Sequence, residues 1–419
     1  MELQMANDMI LGQLPPTWVL SFPACGTGDL LVASRSDRPV VIVTRYSDTL
    51  RAEIRFDAHP DEPVVLLGKA LAGDAVQIVN TGNRIALYAN DTLQDEDWPL
   101  GSADLGGAMC RIGNGTVRLH DDFRFDAAYR AAGPEETVRD LANWRPEGHN
   151  TSVGDCMPFV HDGIYRLFYL FDRRHHRSKW GLGAHQWAQI ATTDFTTWYP
   201  CPLAIPIESQ EEGSICTGSL IWHEDTCTAF YAVRMSDRSP ARLTWATSPD
   251  GVHFTKSDRF VTLTDPYEPV SARDPKVFAA DDGLFHMLVT SSVAGNGCLA
   301  HLVSPDLEKW RQLEPFVRLD TRDQPECPDT FQFNGFTYLV YSLRGTARYF
   351  VSQNPLGPWT APPGNQVGPA DLRVPKAAIL DGRLVFAGFV ADGGGYGGRF
   401  ALYEANGQTD GRLTFTPLI

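Results

Sequence analysis

Residues 325–342 read PECPDTFQFNGFTYLVYS, two apolar runs joined by an Asn-Gly pair and preceded by a Glu-Cys-Pro-Asp tetrapeptide. An Asn-Gly pair between apolar runs is a strong signal of a tight β-hairpin. Acidic side chains at the start of such a strand are unexpected, because buried strand positions are ordinarily small or apolar. The fold depends on whether this hairpin recurs, and the function depends on where its acids point.

The hairpin recurs at four other places in the chain. HDGIYRLFYL, HEDTCTAFYA, DDGLFHMLVTS and DGRLVFAGF share its pattern, and the equivalent turn residues are Asp162, Glu224, Asp282, Asn334 and Asp381, in steps of 62, 58, 52 and 47. A second phrase with a terminal aromatic follows four of them: ATTDFTTW at 191, ATSPDGVHF at 246, VSPDLEKW at 303 and VSQNPLGPW at 351. Repeats of this length without helical periodicity are typical of β-propeller blades. We therefore predict an all-β protein with a five-bladed β-propeller domain over residues 141–419.

The first 140 residues follow another pattern. Runs such as TWVLSF, VVIVTRYS and AVQIVN alternate partly between apolar and polar residues, which predicts an antiparallel β-sandwich domain over residues 1–140. PEETVRDLANW, Pro134–Trp144, favours a helix that links the two domains. Since no low-complexity linker is visible, we expect the domains to pack together. The sandwich is interpreted as a stabilising partner; closure of one side of the propeller funnel and self-association as a homo-oligomer are the alternatives.

Composition excludes several classes of function. Lys and Arg number 36 against 51 Asp and Glu, and the net charge of −15 repels phosphate backbones and anionic membranes, so we expect no nucleic-acid or membrane partner. The N-terminus has no basic segment and no long apolar run, which predicts a cytoplasmic protein unless a leader has been removed. Eight cysteines without a CxxC pair argue against a zinc site or a disulfide framework, so we expect them to be mostly reduced and buried.

The acids fall at similar positions in the repeats. Stepping back seven or eight residues from each hairpin gives Asp155, Cys216–Thr217, Asp274, Glu326 and Arg373–Val374 at the starts of the five inner strands. Inner strands of a propeller line its central channel, so the three acids should meet in one pocket. Clustered burial raises the pKa of at least one acid, and glycosidic cleavage needs a carboxylic acid beside a carboxylate. Acids that bond backbone N–H groups at strand entries are the structural alternative, which explains one acid better than three.

These residues resemble the signatures of a known family. Asp155, the triplet Arg273-Asp274-Pro275 and the pair Glu326-Cys327 are similar to the three motifs of glycoside hydrolase family 32, the five-bladed β-fructofuranosidases and fructan hydrolases, with spacings of 119 and 52 residues. The resemblance implies that Asp155 is the nucleophile, Glu326 the acid/base and Asp274 the stabiliser of the transition state, with Arg273 holding a sugar hydroxyl. It also implies a retaining reaction on sucrose, a fructo-oligosaccharide or a fructan, without metal or organic cofactor.

The chain departs from the family pattern in two ways. Its first motif is Gly154-Asp155-Cys156-Met157-Pro158 where the family usually has Asn-Asp-Pro-Asn-Gly, and its all-β domain precedes the propeller instead of following it. Two other functions stay open. An inverting arabinofuranosidase-like enzyme is favoured by the phrase NPLGPW at Asn354, and a catalytically silent carbohydrate-binding propeller would need no working acids.

Further residues are candidates for sugar binding. Asp172–Trp187, DRRHHRSKWGLGAHQW, is rich in aromatic and cationic side chains, so Trp180, His185 and Trp187 are candidate pocket walls. Thr217 and Arg373 complete the set by their inner-strand positions. Gly393–Gly398, GGGYGG, matches G-x-G-x-x-G but precedes an apolar strand, and is interpreted as a flexible rim loop.

Overall fold

This computed structural model describes residues 2–5, 8–13, 16–113, 115–121, 137–146, 148–173, 181, 183–393 and 395–419. The N-terminal part forms two six-stranded antiparallel sheets, ordered β1-β12-β3-β8-β9-β10 and β2-β11-β4-β5-β6-β7. Their strands are β1 (Glu2–Met5), β2 (Met9–Ile10), β3 (Trp18–Pro23), β4 (Gly28–Arg35), β5 (Arg38–Tyr46), β6 (Thr49–Ile54), β7 (Val64–Lys69), β8 (Ala75–Asn80), β9 (Ile85–Ala89), β10 (Thr92–Asp97), β11 (Met109–Ile112) and β12 (Val117–His120).

The two sheets enclose one apolar core. In β6, Leu50, Ala52 and Ile54 are fully buried, whereas Arg51 and Glu53 between them stay partly exposed and form an ion pair of 2.9 Å. Apolar residues of both sheets belong to the same packed cluster. This period of two is the alternation expected of a strand with one buried face, and it confirms the predicted antiparallel sandwich.

The rest of the described chain forms the propeller. Its strands are β13 (Thr151–His161), β14 (Ile164–Arg173), β15 (Gln186–Thr192), β16 (Tyr199–Pro200), β17 (Glu212–His223), β18 (Thr226–Met235), β19 (Arg242–Ser248), β20 (Thr255–Val261), β21 (Arg273–Ala279), β22 (Phe285–Val293), β23 (Asn296–Ser304), β24 (Arg311–Gln312), β25 (Val317–Arg318), β26 (Glu326–Phe333), β27 (Phe336–Leu343), β28 (Thr346–Ser352), β29 (Leu372–Leu380), β30 (Arg383–Ala391), β31 (Gly398–Gly407) and β32 (Leu413–Pro417). They group into five antiparallel blades, β13–β16, β17–β20, β21–β25, β26–β28 and β29–β32. The five predicted repeats are therefore confirmed as blades.

The repeated turns connect the inner strand of each blade to the next strand. Asp162, Asn334 and Asp381 have φ angles of 49°, 49° and 50°, and each is followed by a glycine whose φ is also positive. Two successive left-handed residues are the requirement of the tight hairpin turn that suits twisted strands, which is why Asn-Gly and Asp-Gly stand there. The third blade differs, because its turn covers residues 280–284 between Ala279 and Phe285.

The ring of blades closes through one strand contact. Val153 of β13, the inner strand of the first blade, pairs with Gly398 of β31 in the fifth blade. This pairing joins the two blades into one eight-stranded sheet. Gly398 has no side chain at this point, and an added Cβ would overlap the carbonyl of Val390. The closing contact therefore requires glycine.

The predicted helix at Pro134–Trp144 is wrong for the residues that the structure describes, 137–144. Val138 forms a bridge with Trp198, with N–H···O distances of 2.8 Å in both directions, and a turn follows at 141–143. Leu141 is buried in the cluster of the first blade, so packing against that blade overrides the local helix preference. No helix in the described part of the chain has the length and apolarity needed to cross a membrane.

The sandwich packs against the propeller, as expected. Trp98 of the sandwich belongs to the same buried cluster as Met157 and Trp187 of the first blade. Gln210 donates from Nε2 to the carbonyls of Gly82 and Gly101, at 2.7 and 2.6 Å. We propose a domain boundary between residues 140 and 141. It lies in the segment that joins the two domains, of which residues 122–136 lie outside the described part of the chain.

All eight cysteines are free thiols. Six are buried, and Cys25 and Cys201 are half-buried. The expectation of mostly buried cysteines is confirmed.

Candidate active site

A pocket of about 550 Å³ opens where the inner strands begin. Asp155 of β13, Asp274 of β21 and Glu326 of β26 line it together. Four predicted binding residues also line it: His185, Thr217, Arg273 and Arg373. The sequence pattern thus placed these seven side chains in the pocket that they share.

Every inner strand carries a β-bulge at this pocket. The pairing shifts by one residue between Val153 and Cys156 in β13, and at the corresponding place in β17, β21, β26 and β29. Asp274, Cys327 and Val374 have left-handed backbones at three of these bulges, with φ of 58°, 51° and 40°. A bulge bends the strand and re-aims its side chains. Five bulges in one ring therefore turn side chains into the pocket.

The bulges correct the predicted register of the acids. Glu326 stands just before its bulge, Asp274 is the first extra residue of its own, and Asp155 is the second. The three acids thus come from three successive positions of the blade and not from one equivalent position. In the last three blades, the second bulge residue is proline (Pro275, Pro328 and Pro375), which is tolerated where no ladder hydrogen bond is made.

Asp155 is the most tightly held of the three carboxylates. Tyr396 donates its hydroxyl to Oδ1 at 2.7 Å, and Thr217 donates to Oδ2 at 2.5 Å. The Cys327 thiol lies 3.4 Å from the same Oδ2. Because Asp155 is only 9% exposed, these donors replace most of the water around it and fix the direction of both oxygens.

Asp274 lies deeper, beside the same thiol. The backbone N–H of Cys327 donates to Asp274 Oδ2 at 3.0 Å, and the Cys327 sulfur is 3.6 Å from that oxygen. Thr290 and Arg273 also approach it, at 3.5 and 3.7 Å. The Cys327 thiol therefore lies between Asp155 and Asp274, and its one proton can serve one carboxylate at a time.

Glu326 is the most exposed of the acids, with a side chain 40% accessible. Arg273 donates from Nη2 to Glu326 Oε1 at 2.9 Å, while its Nη1 is held by Gln324 at 2.6 Å. Glu326 Oε2 has no donor among the described residues. One oxygen is thus anchored and the other is accessible to a group in the pocket, which is the arrangement that a proton carrier needs.

Burial dominates the electrostatics of the pocket. It raises the pKa of Asp274, with the Asp155 charge acting in the same direction and Arg273 opposing both. The predicted rise in the pKa of at least one acid therefore falls on Asp274. Burial, followed by the Asp274 charge, raises the pKa of Cys216 to about 12 and that of Cys327 well above its usual range. Both thiols are neutral hydrogen-bonding groups at physiological pH.

A buried lysine lies beneath the acids. Lys376 is 2% exposed and donates to the Gly218 carbonyl at 2.7 Å. Burial lowers its pKa, whereas the charges of Asp329 and Asp274 oppose that change. Lys376 also lines a second pocket of about 300 Å³ with Lys276 and Asp329, which pair at 2.7 Å. This second pocket shares no lining residue with the pocket of the three acids.

His185 and Arg373 reach the pocket by different supports. His185 Nε2 is 3.1 Å from Asp172 Oδ1, and its Nδ1 is 3.4 Å from the Ser214 hydroxyl. Arg373 donates to the Gly345 carbonyl at 3.1 Å. Trp180, the third candidate from that aromatic segment, lies outside the described residues.

Trp187 is wrong as a pocket wall. Its side chain is fully buried in the cluster between the first two blades, 6.2 Å from the Phe168 ring and 5.9 Å from the Tyr231 ring. Its indole N–H donates to the Cys216 carbonyl at 2.9 Å. Trp187 lies on β15, whose inward face meets the neighbouring blade, so its role is to support the second bulge.

Sequence reasoning missed Tyr396 and Lys376. Tyr396 lies in the glycine-rich segment that was interpreted as a rim loop, yet it lines the pocket and bonds Asp155. Lys376 follows Pro375 and resembles an ordinary surface residue in the sequence. A lone aromatic among glycines, just before a strand that closes the ring, was the available signal for Tyr396.

No group of three or more His, Cys, Asp or Glu side chains in the described part of the chain has the arrangement of a metal site. The chemistry that these residues themselves offer is that of acids, carboxylates and guanidinium groups.

Comparison with known proteins agrees with the propeller. The model of the glycosyl hydrolases family 32 N-terminal domain matches residues 156–359. A probable sucrose-6-phosphate hydrolase of Psychromonas ingrahamii is 29% identical over 318 residues, which is 73% of this chain and 53% of that protein. The chain thus spans about half the length of that relative.

Solved structures share the fold. A Bombyx mori GH32 β-fructofuranosidase variant in complex with sucrose aligns with a TM-score of 0.55 and 19% identity, over 70% of this chain and 68% of that one. Fructan 1-exohydrolase IIa of Cichorium intybus, in a variant complexed with 1-kestose, also has a TM-score of 0.55, with 17% identity over 65% and 60% of the two chains.

Proposed function

We propose that this chain, which is a glycoside hydrolase family 32-like protein, hydrolyses β-fructofuranosides by a retaining mechanism. The observation that carries the proposal is the meeting of Asp155, Asp274 and Glu326 in one pocket at the start of the inner strands. A propeller that only bound sugar would gain little from three clustered acids, because burying them costs free energy. The relatives and the shared fold support fructosides over arabinofuranosides.

In the first step, Asp155 attacks the anomeric carbon of the fructosyl unit. The carbon–oxygen bond to the leaving group breaks as Glu326 passes its proton to that oxygen, and a fructosyl ester forms on Asp155. In the second step, Glu326 takes a proton from water, which attacks the anomeric carbon and releases fructose and the Asp155 carboxylate. A sugar hydroxyl in place of that water would give fructosyl transfer.

The contacts of each acid suit its role. Asp155 is oriented through both oxygens, as a nucleophile needs to be, and the donors that hold it also stabilise it as the leaving group of the second step. Glu326 keeps one oxygen without a donor for proton exchange. Asp274, buried and bonded to the backbone of the Glu326-Cys327 motif, stands where it can bind sugar hydroxyls in the transition state.

A phosphorylated sugar is included among the proposed substrates. Arg234, Arg344 and Arg373 line the pocket in addition to Arg273. Arg344 pairs with Asp323 at 2.8 Å, whereas Arg234 and Arg373 have no carboxylate partner among the described residues. Unpaired guanidinium groups bind phosphate oxygens strongly. The name of the Psychromonas relative points to the same class of substrate.

Product analysis tests the proposal. Wild type, Asp155→Asn and Glu326→Gln are incubated with sucrose, sucrose 6-phosphate, inulin, levan and an aryl α-L-arabinofuranoside. We expect fructose from the wild type, and losses of about 10³-fold or more in kcat for both variants, since each removes a reacting group. Asp162→Asn is the matched control, because Asp162 is an exposed hairpin residue in a left-handed conformation that asparagine tolerates.

The stereochemistry is decided in the same experiment. In buffer with methanol, a retaining enzyme forms methyl β-fructofuranoside, which NMR identifies. Formation of the methyl α-fructofuranoside instead would overturn the retaining route. Silence on all fructosides with release of arabinose, or with saturable sugar binding alone, would overturn the proposed function in favour of the two alternatives.

The cellular setting is also a proposal. The cytoplasmic location and the lack of nucleic-acid partners stay predictions, whereas an oligosaccharide or polysaccharide substrate is supported by the names of the relatives, a levanbiose-producing levanase of Bacillus subtilis among them. The role of the sandwich in self-association remains a prediction, which sedimentation analysis of the purified protein would test.

A further inference from the structure

The glycine-rich segment between β30 and β31 reaches the candidate nucleophile. Gly393, Gly395 and Gly397 have φ of 90°, 128° and 86°, which favour glycine over any other residue. Asp392, at the start of the segment, lies 3.3 Å from Arg145. Gly397 packs so closely on the first blade that an added Cβ would lie 2.8 Å from the Ser152 side chain. The segment is therefore fitted to β13 just before Asp155.

Tyr396 makes two bonds to one residue. Its hydroxyl donates to Asp155 Oδ1 at 2.7 Å and accepts from the Asp155 backbone N–H at 3.0 Å. Because that N–H occupies a lone pair of the phenol oxygen, the phenol proton is directed to the carboxylate. Its ring is packed between His185 and Phe389, with centroid distances of 4.8 and 5.4 Å.

Gly154 makes this approach possible. A Cβ at position 154 would lie 2.5 Å from the Tyr396 hydroxyl oxygen, 2.8 Å from Cε1 and 2.9 Å from Cζ. These distances are shorter than real Cβ contacts, so a side chain at position 154 and the phenol of Tyr396 exclude each other. The ring occupies the space that a side chain beside the nucleophile would otherwise take.

We propose that Tyr396 is the positioning residue of Asp155, and that Gly154 and Tyr396 form an interdependent pair that sets the orientation of this carboxylate. The proposal rests on the proposed function for its kinetic consequences, and on the Gly154 contact for its structural ones. Burial, followed by the Asp155 charge, raises the pKa of Tyr396 well above its usual range. The phenol therefore keeps its proton at physiological pH.

The kinetic test compares Tyr396→Phe with Tyr403→Phe. Tyr403 lies on β31 of the same blade and does not line the pocket, so its substitution removes a phenol without touching Asp155. We expect Tyr396→Phe to lower kcat about 10- to 100-fold through misorientation, with KM changed by less than about twofold. A kcat equal to that of Tyr403→Phe, or a loss carried by KM and not by kcat, would overturn the proposal.

The structural test does not depend on turnover. Thermal unfolding is measured for wild type, Gly154→Ala, Tyr396→Ala and the double variant. We expect Gly154→Ala to lower Tm clearly in the wild-type background and much less when Tyr396 is alanine. Strictly additive changes would show that the two residues do not compete for space and would overturn the pair. If the wild type cleaves no furanoside, the proposed function falls, and this coupling alone decides the proposal.

Discussion

The three acids of the pocket differ in what surrounds them. Asp155 is held by side-chain donors at both oxygens, Asp274 is buried beside a backbone N–H, and Glu326 is anchored at one oxygen by Arg273. Environment, more than residue type, separates a nucleophile from an acid. The exposure of Glu326 is the feature that favours it for proton exchange with solvent.

Glu326→Gln should therefore be sensitive to the leaving group. The variant cannot donate a proton, so its loss in kcat/KM, which reports the first step, should be large for sucrose and small for an aryl β-fructofuranoside, whose phenolate leaves without protonation. The measurement is kcat/KM over a series of aryl leaving groups of graded acidity. Equal losses across that series would remove Glu326 from the acid role.

Asp274→Asn should lower the activity of the protein and raise its stability. The folded pKa of Asp274 lies above its ordinary value of 3.8, so between these two values the native state binds more protons than the unfolded chain. The stabilisation of the fold by protonated Asp274 is therefore lost as the pH rises through that window. At pH 7 the buried, ionised carboxylate destabilises the native state. We expect a higher Tm than wild type at pH 7, a difference that shrinks below pH 4, and a kcat lower by about 10²- to 10³-fold.

The measurement for Asp274→Asn is calorimetry from about pH 3 to pH 8, with Asp162→Asn as the control. A Tm below that of the wild type at pH 7 would show that the hydrogen bond from Cys327 outweighs the cost of burial.

At the scale of residues, the sequence predicted the acids together with Thr217 and Arg273, but it missed Tyr396. The acids stand in short motifs with fixed spacing, whereas Tyr396 reaches Asp155 from 241 residues away. Trp187 was assigned to the pocket because aromatic side chains suit sugars, yet they suit apolar cores equally. Local sequence does not show which face of a strand a tryptophan occupies when both faces are covered.

At the scale of elements, turns were predictable and bulges were not. Asn-Gly and Asp-Gly pairs identify the hairpins because few residues tolerate their left-handed backbone, and four of the five connections are tight. A bulge adds one residue with no fixed composition, so counting back from the hairpin could not resolve an offset of one position. The prolines after Asp274 and Cys327 were the sign of a bulge that the sequence contained.

The bulge of the second blade gives a test at this scale. A Cβ on Gly218 would overlap the Phe230 carbonyl and lie 3.0 Å from the Trp187 ring, so Gly218→Ala should destabilise the protein by about 3 kcal/mol through overpacking. Gly12→Ala is the control, because nothing lies within 4 Å of its added Cβ. Chemical denaturation measures both, and equal midpoints would show that the strand can shift to make room.

At the scale of the whole molecule, the number of blades and the two-part order were predictable from repeats, but the linker was not. Pro134–Trp144 has helical composition, yet Val138 bonds to Trp198 of the first blade. Contacts between segments far apart in the sequence decided its conformation. The packing of the sandwich on the propeller was expected only from the absence of a low-complexity linker. The residues that make this contact were not predicted.

Gln210 tests that interface. Gln210→Ala leaves the carbonyls of Gly82 and Gly101 without their side-chain donor, which should cost about 1–3 kcal/mol and leave kcat unchanged, since the pocket does not include it. Calorimetry should show a lower Tm or two separated transitions for the sandwich and the propeller. An unchanged transition would mean that the apolar contacts around Trp98 hold the two parts together by themselves.

The pairing of Val153 with Gly398 has a consequence for synthesis of the protein. All three acids have been synthesised once Glu326 is added, but the contact that closes the ring, and Tyr396 beside it, come dozens of residues later. A nascent chain or a truncated product that ends between Glu326 and Gly398 therefore carries every acid and an unfinished pocket. On the proposed roles, the appearance of activity would report that synthesis has passed Gly398 and that the ring is closed.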